Sequence, residues 1–423
     1  MIIGIDASRA NRKHRTGTEW YAYHLIREFA LQDKKNEYIL YTDNPLRGGL
    51  LDLTKNDESE IENKIKYDNE GYQVLKSPHN NFKAKILKWP FKYFWTLGGL
   101  SLEMVFNKPD ALFVQSHALP LVRPKKTLIT IHDIGFLKDS SLFGIDEIGP
   151  DVFSFKKIIS FFVRIFTLGK YGANSLDYLK WSTKYALKKA SNVITVSEFS
   201  KKEIETFYKV KKGKLTVVHN GYDKKLYKKI NNEEKLKFVL DNLGIEQPYI
   251  FYIGRLEKKK NTSALIEAYA IMRDRKINNH KLLLVGDASY GYDEAKYMTR
   301  EFDLVDDIIM PGWLDEDIVP YLYNGASLFI LPSKYEGFGI PLLQAMACGT
   351  TIIAANTSSI PEVAKDAAHY FNPDYSLSIA DSMCEVLNKP ELREKLIKNG
   401  YERVKEFGWG RTAKKTLDIL LEK

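Results

Sequence analysis

The chain has 423 residues, which is too long for one ordinary hydrophobic core and predicts two domains. Its 44% hydrophobic and 28% charged residues are typical of a soluble globular protein, and its two cysteines, Cys348 and Cys384, exclude a disulfide framework. The net charge of +9 favours anionic partners, of which a nucleotide diphosphate and an anionic lipid surface stay open. No nucleic-acid motif, zinc-ligand spacing or membrane-length apolar run is present, and no signal peptide is expected.

The first half of the chain alternates short apolar runs with helical patterns, which predicts a parallel sheet with right-handed crossovers. Buried strands are predicted at Met1–Asp6, Tyr38–Tyr41, Ala111–Val114, Thr127–Ile131, Val193–Val196 and Leu215–Val218. The loop Ala7–Gly17 is basic, and Thr18–Leu31 has the periodicity of an amphipathic helix. Ser197 is suited to cap the helix after Val196. His132 follows the fourth strand, where a histidine is more often a core or surface residue than a ligand.

Two stretches of this half place aromatic side chains on one helical face and basic side chains on the other. In Phe82–Leu97 these are Phe82, Ile86, Trp89 and Tyr93 against Lys85, Lys88 and Lys92. In Phe153–Leu168 they are Phe155, Ile158, Ile159, Phe162 and Phe166 against Lys156, Lys157 and Arg164. Such faces are typical of helices that dock on a membrane surface, and equally of helices that pack on their own domain. Both alternatives stay open, and an anionic membrane surface is one expected partner.

The second half repeats the alternation of strands and helices. Its predicted strands are Tyr249–Ile253, Lys281–Val285, Ile308–Met310, Ser327–Leu331 and Thr351–Ala354. After the first of them, Arg255 and Lys260 flank a loop that ends where a helix begins near Thr262. A basic loop can simply be solvated, but two cations at a helix start also suit a diphosphate.

The stretch Glu336–Gly349 organises this half as strand, glycine loop and helix. Pro341 suits the first helical turn, where a missing N–H costs nothing, and Gly349 suits the helix end. The helix start attracts a phosphate through its N–H groups and dipole. Glu336 at the loop mouth and Gln344 on the helix can both reach a ligand there.

This stretch resembles the E-x7-E signature of the GT4 family of retaining glycosyltransferases, which have the GT-B fold. Glu336 matches the first Glu, and Gln344 replaces the second, losing a charge-assisted bond while still accepting from a ribose hydroxyl. The resemblance extends to the segments RTGTEWYAYHLIREF at 15–29, Thr130–Asp133, His219–Asp223, Gly254–Asn261, Pro311–Leu314 and Asn356–Glu362.

The resemblance implies roles for individual residues. Glu336 would contact the donor sugar, Gln344 the ribose, and His132 the sugar from the first domain, while Arg255 and Lys260 would neutralise the departing diphosphate. The implied catalytic residues are His132, Glu336, Arg255 and Lys260. The implied nucleotide-sugar contacts are Gly17, Gly254, Arg255, Lys260, Trp313, Leu314, Glu336, Gly337, Phe338, Gly339, Ile340 and Gln344. The family uses front-face attack, so no protein nucleophile is expected. It does not rely on a DxD metal motif, so the acidic run Asp315–Asp317 is interpreted as a helix start, and no metal or cofactor is expected.

We therefore expect an α/β protein of GT-B fold, with two Rossmann-like domains whose parallel sheets face a central cleft. The expected domains are an acceptor-binding domain at 1–222, a nucleotide-sugar-binding domain at 223–405, and a C-terminal helix at 406–423 that crosses back to the first. The expected function is hexose transfer from a UDP- or GDP-sugar to a glycan or lipid-linked acceptor in cell-envelope polysaccharide synthesis, in the cytoplasm or peripherally on the inner membrane face. One alternative is a GT-B sugar-nucleotide epimerase. The other is a non-catalytic sugar-nucleotide or membrane-surface binding subunit, and Gln344 is the only feature of the sequence that favours it.

Overall fold

A computed structural model describes residues 1–55, 65–90, 94–116, 118–148, 156–157, 160, 163, 169–275 and 279–422. The chain divides into two compact units. The first consists of Met1–Lys138, Gly144–Asn220 and Trp409–Lys423, and the second of Asp139–Phe143 and Gly221–Gly408. The unit boundary after Asn220 lies two residues before the domain boundary predicted from the sequence.

The first unit is built around an eight-stranded sheet. Its strands are β1 (Ile2–Asp6), β2 (Glu37–Thr42), β3 (Gln73–Val74), β4 (Phe82–Ile86), β5 (Ala111–Val114), β6 (Lys126–Thr130), β7 (Asn192–Thr195) and β8 (Leu215–Val217). They lie in the order β3-β4-β2-β1-β5-β6-β7-β8, and every pair is parallel except β3 with β4. The sheet therefore has the parallel, doubly wound character that the alternating pattern predicts.

Helices accompany the strands of the first unit. They are α1 (Gly17–Gln32), α2 (Ser101–Phe106), α3 (Gly135–Lys138), α4 (Ser175–Lys189), α5 (Glu198–Tyr208) and, from the C-terminus, α14 (Trp409–Leu421). Helix α5 begins at the predicted cap, because the side chain of Ser197 accepts a hydrogen bond from the backbone N–H of Ser200. Helix α14 packs on α1, where Trp409 stacks on His24 with ring centroids 5.1 Å apart.

The second unit is built around a six-stranded, fully parallel sheet. Its strands are β9 (Tyr249–Ile253), β10 (Lys281–Val285), β11 (Ile308–Gly312), β12 (Leu328–Leu331), β13 (Ile352–Ala355) and β14 (His369–Phe371). Their order is β11-β10-β9-β12-β13-β14. The helices are α6 (Glu233–Asn242), α7 (Thr262–Asp274), α8 (Tyr292–Glu301), α9 (Val319–Gly325), α10 (Ile340–Cys348), α11 (Ile360–Ala364), α12 (Ser376–Asn388) and α13 (Pro390–Val404).

The predicted helix at Phe82–Leu97 is wrong at its beginning, which is strand β4. β4 pairs in parallel with β2, so it lies inside the sheet. Phe82 is buried and stacks on Tyr38 with centroids 4.3 Å apart, so its ring belongs to the core. The segment Phe82–Ile86 alternates apolar and basic residues with the period of two that suits a strand, and backbone pairing with β2 decides in favour of that period.

The basic side chains of this stretch are also engaged differently from the prediction. The Nζ atom of Lys85 lies 2.7 Å from a carboxylate oxygen of Glu103. The amphipathic helix predicted for this stretch is therefore absent over Phe82–Ile86, and its residues 91–93 lie outside the described residues. The second predicted stretch, Phe153–Leu168, lies mostly outside the described residues as well. Among the described helices, none combines the length and the apolar character needed to traverse a bilayer.

Candidate functional site

The topology of the second sheet marks one position where its loops diverge. β10 and β11 extend the sheet on one side of β9, and β12 lies on the other side. The loops after β9 and β12 therefore leave in opposite directions and open a crevice at the carboxyl ends of these strands. Ligands bind at such a switch point in open α/β sheets. Arg255 and Lys260 follow β9 and Glu336 follows β12, so the structure brings these predicted phosphate and sugar contacts to one crevice.

The loop after β9 depends on close backbone packing. Gly254 has φ 153°, and a Cβ atom on Gly286 would lie only 2.0 Å from the carbonyl oxygen of Gly254. Gly286 itself has φ 138°, which side chains disfavour. Glycine is therefore required there both for this backbone conformation and because a Cβ atom has no room. Next to this contact, the side chain of Arg255 is exposed to solvent. The packing thus fixes the backbone while leaving the guanidinium able to meet a ligand.

The same loop ends at the start of helix α7. Lys258–Lys260 form a 3₁₀ turn, and Asn261 caps it in the left-handed conformation with φ 61°. The buried side chain of Asn261 donates to the carbonyl oxygen of Pro373 over 2.8 Å. This tether fixes the position from which Lys260 reaches into the crevice.

The loop after β12 is held by serines from two segments. The Oγ of Ser333 donates to Glu336 Oε1 over 2.7 Å. The backbone N–H of Glu336 donates to Ser358 Oγ over 3.0 Å, and its carbonyl oxygen accepts from Ser359 Oγ over 2.9 Å. The Glu336 backbone is therefore fixed on both sides.

Helix α10 starts directly after this loop, and the predicted residues lie at its beginning and end. Gly339 precedes its first residue with φ 95°, Pro341 lies in its first turn, and Gly349 ends it with φ 72°. The first N–H groups of a helix have no partners within the helix, and the dipole makes this end positive. The start of α10 is thus placed to attract an anion beside Glu336.

An ion pair joins the two loops. Lys260 Nζ lies 2.6 Å from Glu336 Oε1, and the two side chains are only 20% and 10% exposed. Burial alone would raise the pKa of Glu336, but the charges of Lys260 and Lys259 and the bonds from Lys260 and Ser333 outweigh it and lower the pKa below its usual value. Glu336 is therefore a carboxylate at neutral pH.

The ion pair leaves hydrogen-bonding capacity on both partners. Lys260 and Ser333 both donate to Oε1 of Glu336, and within the described part of the chain no hydrogen bond reaches Oε2. Lys260 has three N–H donors, of which Glu336 takes one. A ligand can therefore receive hydrogen bonds from Lys260 and donate one to Glu336 at the same place.

The other predicted contacts of the second unit have different surroundings. Gln344 is half-buried, and its Oε1 accepts from the buried hydroxyl of Tyr323 over 3.1 Å. The ring of Phe338 is buried against Phe407, with centroids 5.8 Å apart, so the ring belongs to the core of the second unit. Gly337, Gly339 and Ile340 line the start of α10, and Trp313 and Leu314 are half-buried after β11.

Two predicted residues belong to the first unit. Gly17 is exposed at the first position of α1, whose start is fixed by a capping box between Thr16 and Glu19. His132 is buried after β6, and one ring nitrogen lies 3.1 Å from the carbonyl oxygen of Gln115. Burial lowers the pKa of His132 despite the opposing effect of this hydrogen bond, so the ring is neutral at neutral pH.

The sequence interpretation missed several residues that shape these sites. Asp6 is buried at the carboxyl end of β1 and accepts from Ser8 Oγ over 2.6 Å. Burial raises the pKa of Asp6 even though that bond opposes it. The only signal in the sequence was a charged residue at the end of an apolar run. Ser333 and Tyr323 gave no signal, because neither a serine three residues before Glu336 nor a tyrosine on α9 indicates by itself which side chain it contacts.

No metal site is visible in the described ranges, where no three His, Cys, Asp or Glu side chains are grouped to hold an ion. Asp315–Asp317 precede α9, as the helix-start interpretation predicts. The side chain of Glu316 accepts a hydrogen bond from the hydroxyl of Tyr227. This acidic run therefore has a structural partner.

Two protein-family models match the chain. The model described as "Glycosyltransferase Family 4" matches residues 15–226, and the model described as "Glycosyl transferases group 1" matches residues 233–403. The gap between the matches lies close to the unit boundary at Gly221. Each family model thus corresponds to one of the two sheets.

Curated relatives belong to the same class. The O-antigen chain mannosyltransferase B of Escherichia coli is 29% identical over 264 residues, which are 60% of this chain and 67% of that protein. The capsular polysaccharide biosynthesis glycosyltransferase CapM of Staphylococcus aureus is 27% identical over 261 residues, covering 57% of this chain and 65% of CapM. The chain thus matches about two thirds of the length of these relatives.

Solved structures share the fold over the whole chain. Anabaena HepE, solved with UDP and glucose, has a TM-score of 0.68 at 15% identity and covers 100% of this chain and 99% of its own. Sucrose-phosphate synthase from Thermosynechococcus elongatus has a TM-score of 0.68 at 17% identity, covering 99% and 98%. These likenesses confirm the predicted GT-B fold. The family models, which extend from residue 15 to residue 403, show that the chain belongs to the glycosyl transferases group 1, the GT4 family.

Proposed function

We propose that this protein is a retaining glycosyltransferase that moves a hexose from a nucleotide diphosphate sugar, UDP- or GDP-linked, to a glycan or lipid-linked acceptor. The observation that carries the proposal is the Lys260–Glu336 pair at the switch point of the second sheet, with a contact of 2.6 Å. In a nucleotide sugar, one bond separates the anionic diphosphate from the neutral sugar. A cation and a carboxylate in direct contact match that junction, because one can bind a phosphate oxygen and the other a sugar hydroxyl.

In this proposal the second unit stabilises the leaving group. The bond between the anomeric carbon and the phosphate oxygen breaks, so negative charge develops on the diphosphate. Lys260, the exposed Arg255 and the positive start of α10 are the groups that would stabilise this charge. Glu336 would hold the sugar through its carboxylate. No protein nucleophile or metal is assigned.

His132 is assigned to the sugar as a neutral hydrogen-bonding group. Its lowered pKa supports this assignment, because an imidazolium would repel the positive charge that develops on the sugar as the leaving group departs. The ring has two nitrogens, and the one next to Gln115 lies 3.1 Å from a carbonyl oxygen, which orients the ring.

The names of the relatives support the hexose and the class of acceptor. The E. coli relative is named as an O-antigen chain mannosyltransferase and the S. aureus relative as a capsular polysaccharide glycosyltransferase. Anabaena HepE was solved in complex with UDP and glucose and in complex with UDP-glucose. We therefore include both GDP-mannose and UDP-glucose among the donors to be tested and assign the product to polysaccharide synthesis.

A two-step experiment tests the proposal. Melting temperatures of the full chain are first measured with UDP, GDP and ADP, since a ligand that binds only the folded state stabilises it by about 2.7 kcal/mol at one hundred times its Kd. Labelled sugars of the nucleotide that binds are then offered with a panel of glycoside acceptors, and the anomeric configuration of the product is read by NMR. We expect one nucleotide to stabilise the protein and the product to retain the donor configuration.

Glu336→Gln and the exposed Glu391→Gln serve as a matched pair in this experiment. Both changes remove one carboxylate and keep the side-chain shape, but Glu391 lies at the start of α13. Turnover should fall only in the first. Stabilisation by a nucleotide without turnover of any donor would instead favour the non-catalytic binding subunit, and no stabilisation by any of the three nucleotides would refute the proposal.

A further inference from the structure

The first unit has a concentrated group of cations at the amino ends of β6, β7 and β8. The group comes from the segments 121–126, 184–192 and 209–214, none of which contains an Asp or Glu. Its ten members, called the basic edge below, are Arg123, Lys125, Lys126, Lys184, Lys188, Lys189, Lys209, Lys211, Lys212 and Lys214. Since the whole chain has a net charge of +9, the chain without these ten sums to −1. The basic edge alone therefore carries slightly more positive charge than the net excess of the whole chain.

Hydrogen bonds join the three segments into one surface. Lys214 Nζ donates to the carbonyl oxygen of Lys188 over 3.3 Å, and Arg123 donates to that of Lys189 over 3.5 Å. Partial burial lowers the pKa of Lys214, and the charges of Lys211 and Arg123 lower it further. The cations are therefore close enough to repel one another.

Local structure explains only part of this arrangement. Lys188 and Lys189 lie in the last turn of α4, where cations favour the helix dipole. Lys214 and Arg123 donate to carbonyl oxygens at the same helix end, whereas the remaining six members have no such role. None of the ten is in an ion pair in the part of the chain that the structure describes. An unpaired cluster of one sign is the electrostatic footprint of an anionic partner.

An exposed apolar ridge adjoins the basic edge. Its members are Leu102, Val105, Phe106 and Leu121, with exposed fractions of 57%, 55%, 76% and 52%. The first three share one face of α2, at the spacing i, i+3, i+4.

Two hydrogen bonds and the pairing of β5 with β6 connect the ridge with the edge. The backbone N–H of Leu121 donates to Ser101 Oγ at the start of α2 over 2.8 Å. The carbonyl oxygen of Leu121 accepts from Arg123 over 2.8 Å. Farther along the chain, Phe106 precedes β5, whose first residue Ala111 lies opposite Lys126 in the sheet. Apolar and basic side chains thus form one amphipathic surface.

We propose that this surface docks on an anionic lipid bilayer, with the apolar ridge inserted among the lipids and the basic edge against their headgroups. A soluble polyanion would explain the cations but not the four exposed apolar side chains beside them. Trp181 and Tyr185 of α4 support the bilayer, because they stack 5.3 Å apart and the Tyr185 hydroxyl accepts from Arg123 over 3.0 Å. Aromatic rings with polar edges are enriched at membrane interfaces.

Flotation of the full chain with vesicles tests this assignment. The vesicles are phosphatidylcholine alone, or phosphatidylcholine with one quarter phosphatidylglycerol, in low and high salt. We expect flotation only with the anionic vesicles, and weaker flotation in high salt because surface charges are screened. No nucleotide is present, so this experiment can succeed or fail independently of the proposed transferase activity.

Two variants separate the contributions of charge and apolar contact. Reversal of Lys188, Lys189, Lys211 and Lys212 to Glu should lower the partition coefficient by a hundredfold or more, since each lysine near an anionic surface contributes about fivefold. Phe106→Ser should lower it by about tenfold, through loss of an inserted ring. The matched controls are four Lys→Glu changes at the exposed Lys237, Lys395, Lys398 and Lys414, and Phe238→Ser at a side chain that is 65% exposed in the second unit.

The proposal is overturned if the unaltered chain stays with the soluble fraction in low salt, or if the controls lose as much binding as the two variants. It is also overturned if charge reversal releases the protein but Phe106→Ser has no effect and soluble polyphosphate competes fully. That pattern would assign the basic edge to a soluble polyanion. Circular dichroism of each variant verifies that lost flotation does not reflect unfolding.

Discussion

Replacement of Lys260 by Met tests the ion pair on which the candidate site depends. Lys260 Nζ lies 2.6 Å from Glu336 Oε1, so their gross attraction is about 6 kcal/mol at an effective dielectric constant of about 20. Desolvation of both ions offsets most of this attraction, but removal of one partner leaves the other buried and uncompensated, which costs about 3–5 kcal/mol. Because the two side chains are 20% and 10% exposed, we expect a loss near the lower end, about 3 kcal/mol.

Urea unfolding and nucleotide titration measure the two consequences of Lys260→Met. The free energy of unfolding should fall by about 3 kcal/mol at pH 7.5. The affinity for the nucleotide diphosphate should fall tenfold or more, because a charge-assisted hydrogen bond contributes about 1.5–3 kcal/mol. The matched control is Lys258→Met, which removes an exposed lysine from the same 3₁₀ turn. Glu336→Gln in the Lys260→Met background should restore most of the stability, since it removes the orphaned charge.

The loss of stability in Lys260→Met should depend on pH. In the unaltered protein the pKa of Glu336 is lowered. Its contribution to the free energy of unfolding is therefore present above its pKa in the unfolded chain, about 4.3, and is lost as pH falls through its pKa in the folded protein. Without Lys260, burial dominates and raises the pKa, so the variant loses stability as pH rises through that raised value. The difference in free energy of unfolding between the unaltered protein and Lys260→Met should therefore widen from pH 4.5 to pH 7.5. If Lys260→Met loses no more stability than Lys258→Met, or if its loss does not depend on pH, the ion-pair reasoning is contradicted.

Four further predictions address other parts of the molecule. Gln344→Glu should fold normally and bind the nucleotide diphosphate at least as tightly, by calorimetric titration, because a carboxylate can still accept from Tyr323. Gly286→Ala should destabilise by more than 3 kcal/mol in urea unfolding, because its Cβ would lie 2.0 Å from a carbonyl oxygen, whereas Gly213→Ala, with a positive φ and open space, should cost about 1 kcal/mol. Ser197→Ala should cost about 1 kcal/mol in the same assay through loss of the helix cap. Stability should fall as pH drops below about 6.5, where the unfolded chain takes up a proton that buried His132 resists, and His132→Gln should flatten that part of the curve.

The strands could be predicted from the sequence because buried parallel strands are short apolar runs that end at Gly, Pro or polar residues. Ala111–Val114, Tyr249–Ile253 and Lys281–Val285 have the predicted bounds. The failure at Phe82–Ile86 has a specific cause. The five residues Phe-Lys-Ala-Lys-Ile alternate as expected for a strand. Together with the aromatic residues that follow, they also fit the spacing of an amphipathic helix. Which period applies depends on the unpaired edge of β2, which local sequence does not reveal.

The residue types of the candidate site were predictable, but their contacts were not. The glycine loop, Pro341 and Gly349 have local signatures, and each lies where these signatures predict. The contact between Lys260 and Glu336 joins residues 76 positions apart and depends on β12 lying beside β9. Ser358 and Ser359, which hold the backbone of Glu336, come from the loop after β13 for the same reason. Resemblance to the family could name the charged residues, whereas only the strand order determines that one carboxylate oxygen is occupied and the other is accessible.

The charge balance of the crevice bears on the substitution of Glu by Gln at position 344. The buried Glu336 is already matched by Lys260, so Arg255 and the start of α10 remain as positive groups without a fixed anion in the described structure. A second carboxylate on α10 would offset part of that potential, whereas Gln344 leaves it intact and satisfies the Tyr323 hydroxyl equally well. In the proposed function, this shifts donor recognition from the ribose toward the diphosphate. Glutamine at 344 is therefore compatible with donor binding, because the lost charge-assisted bond to the ribose is offset by stronger attraction of the two phosphates to the same helix end.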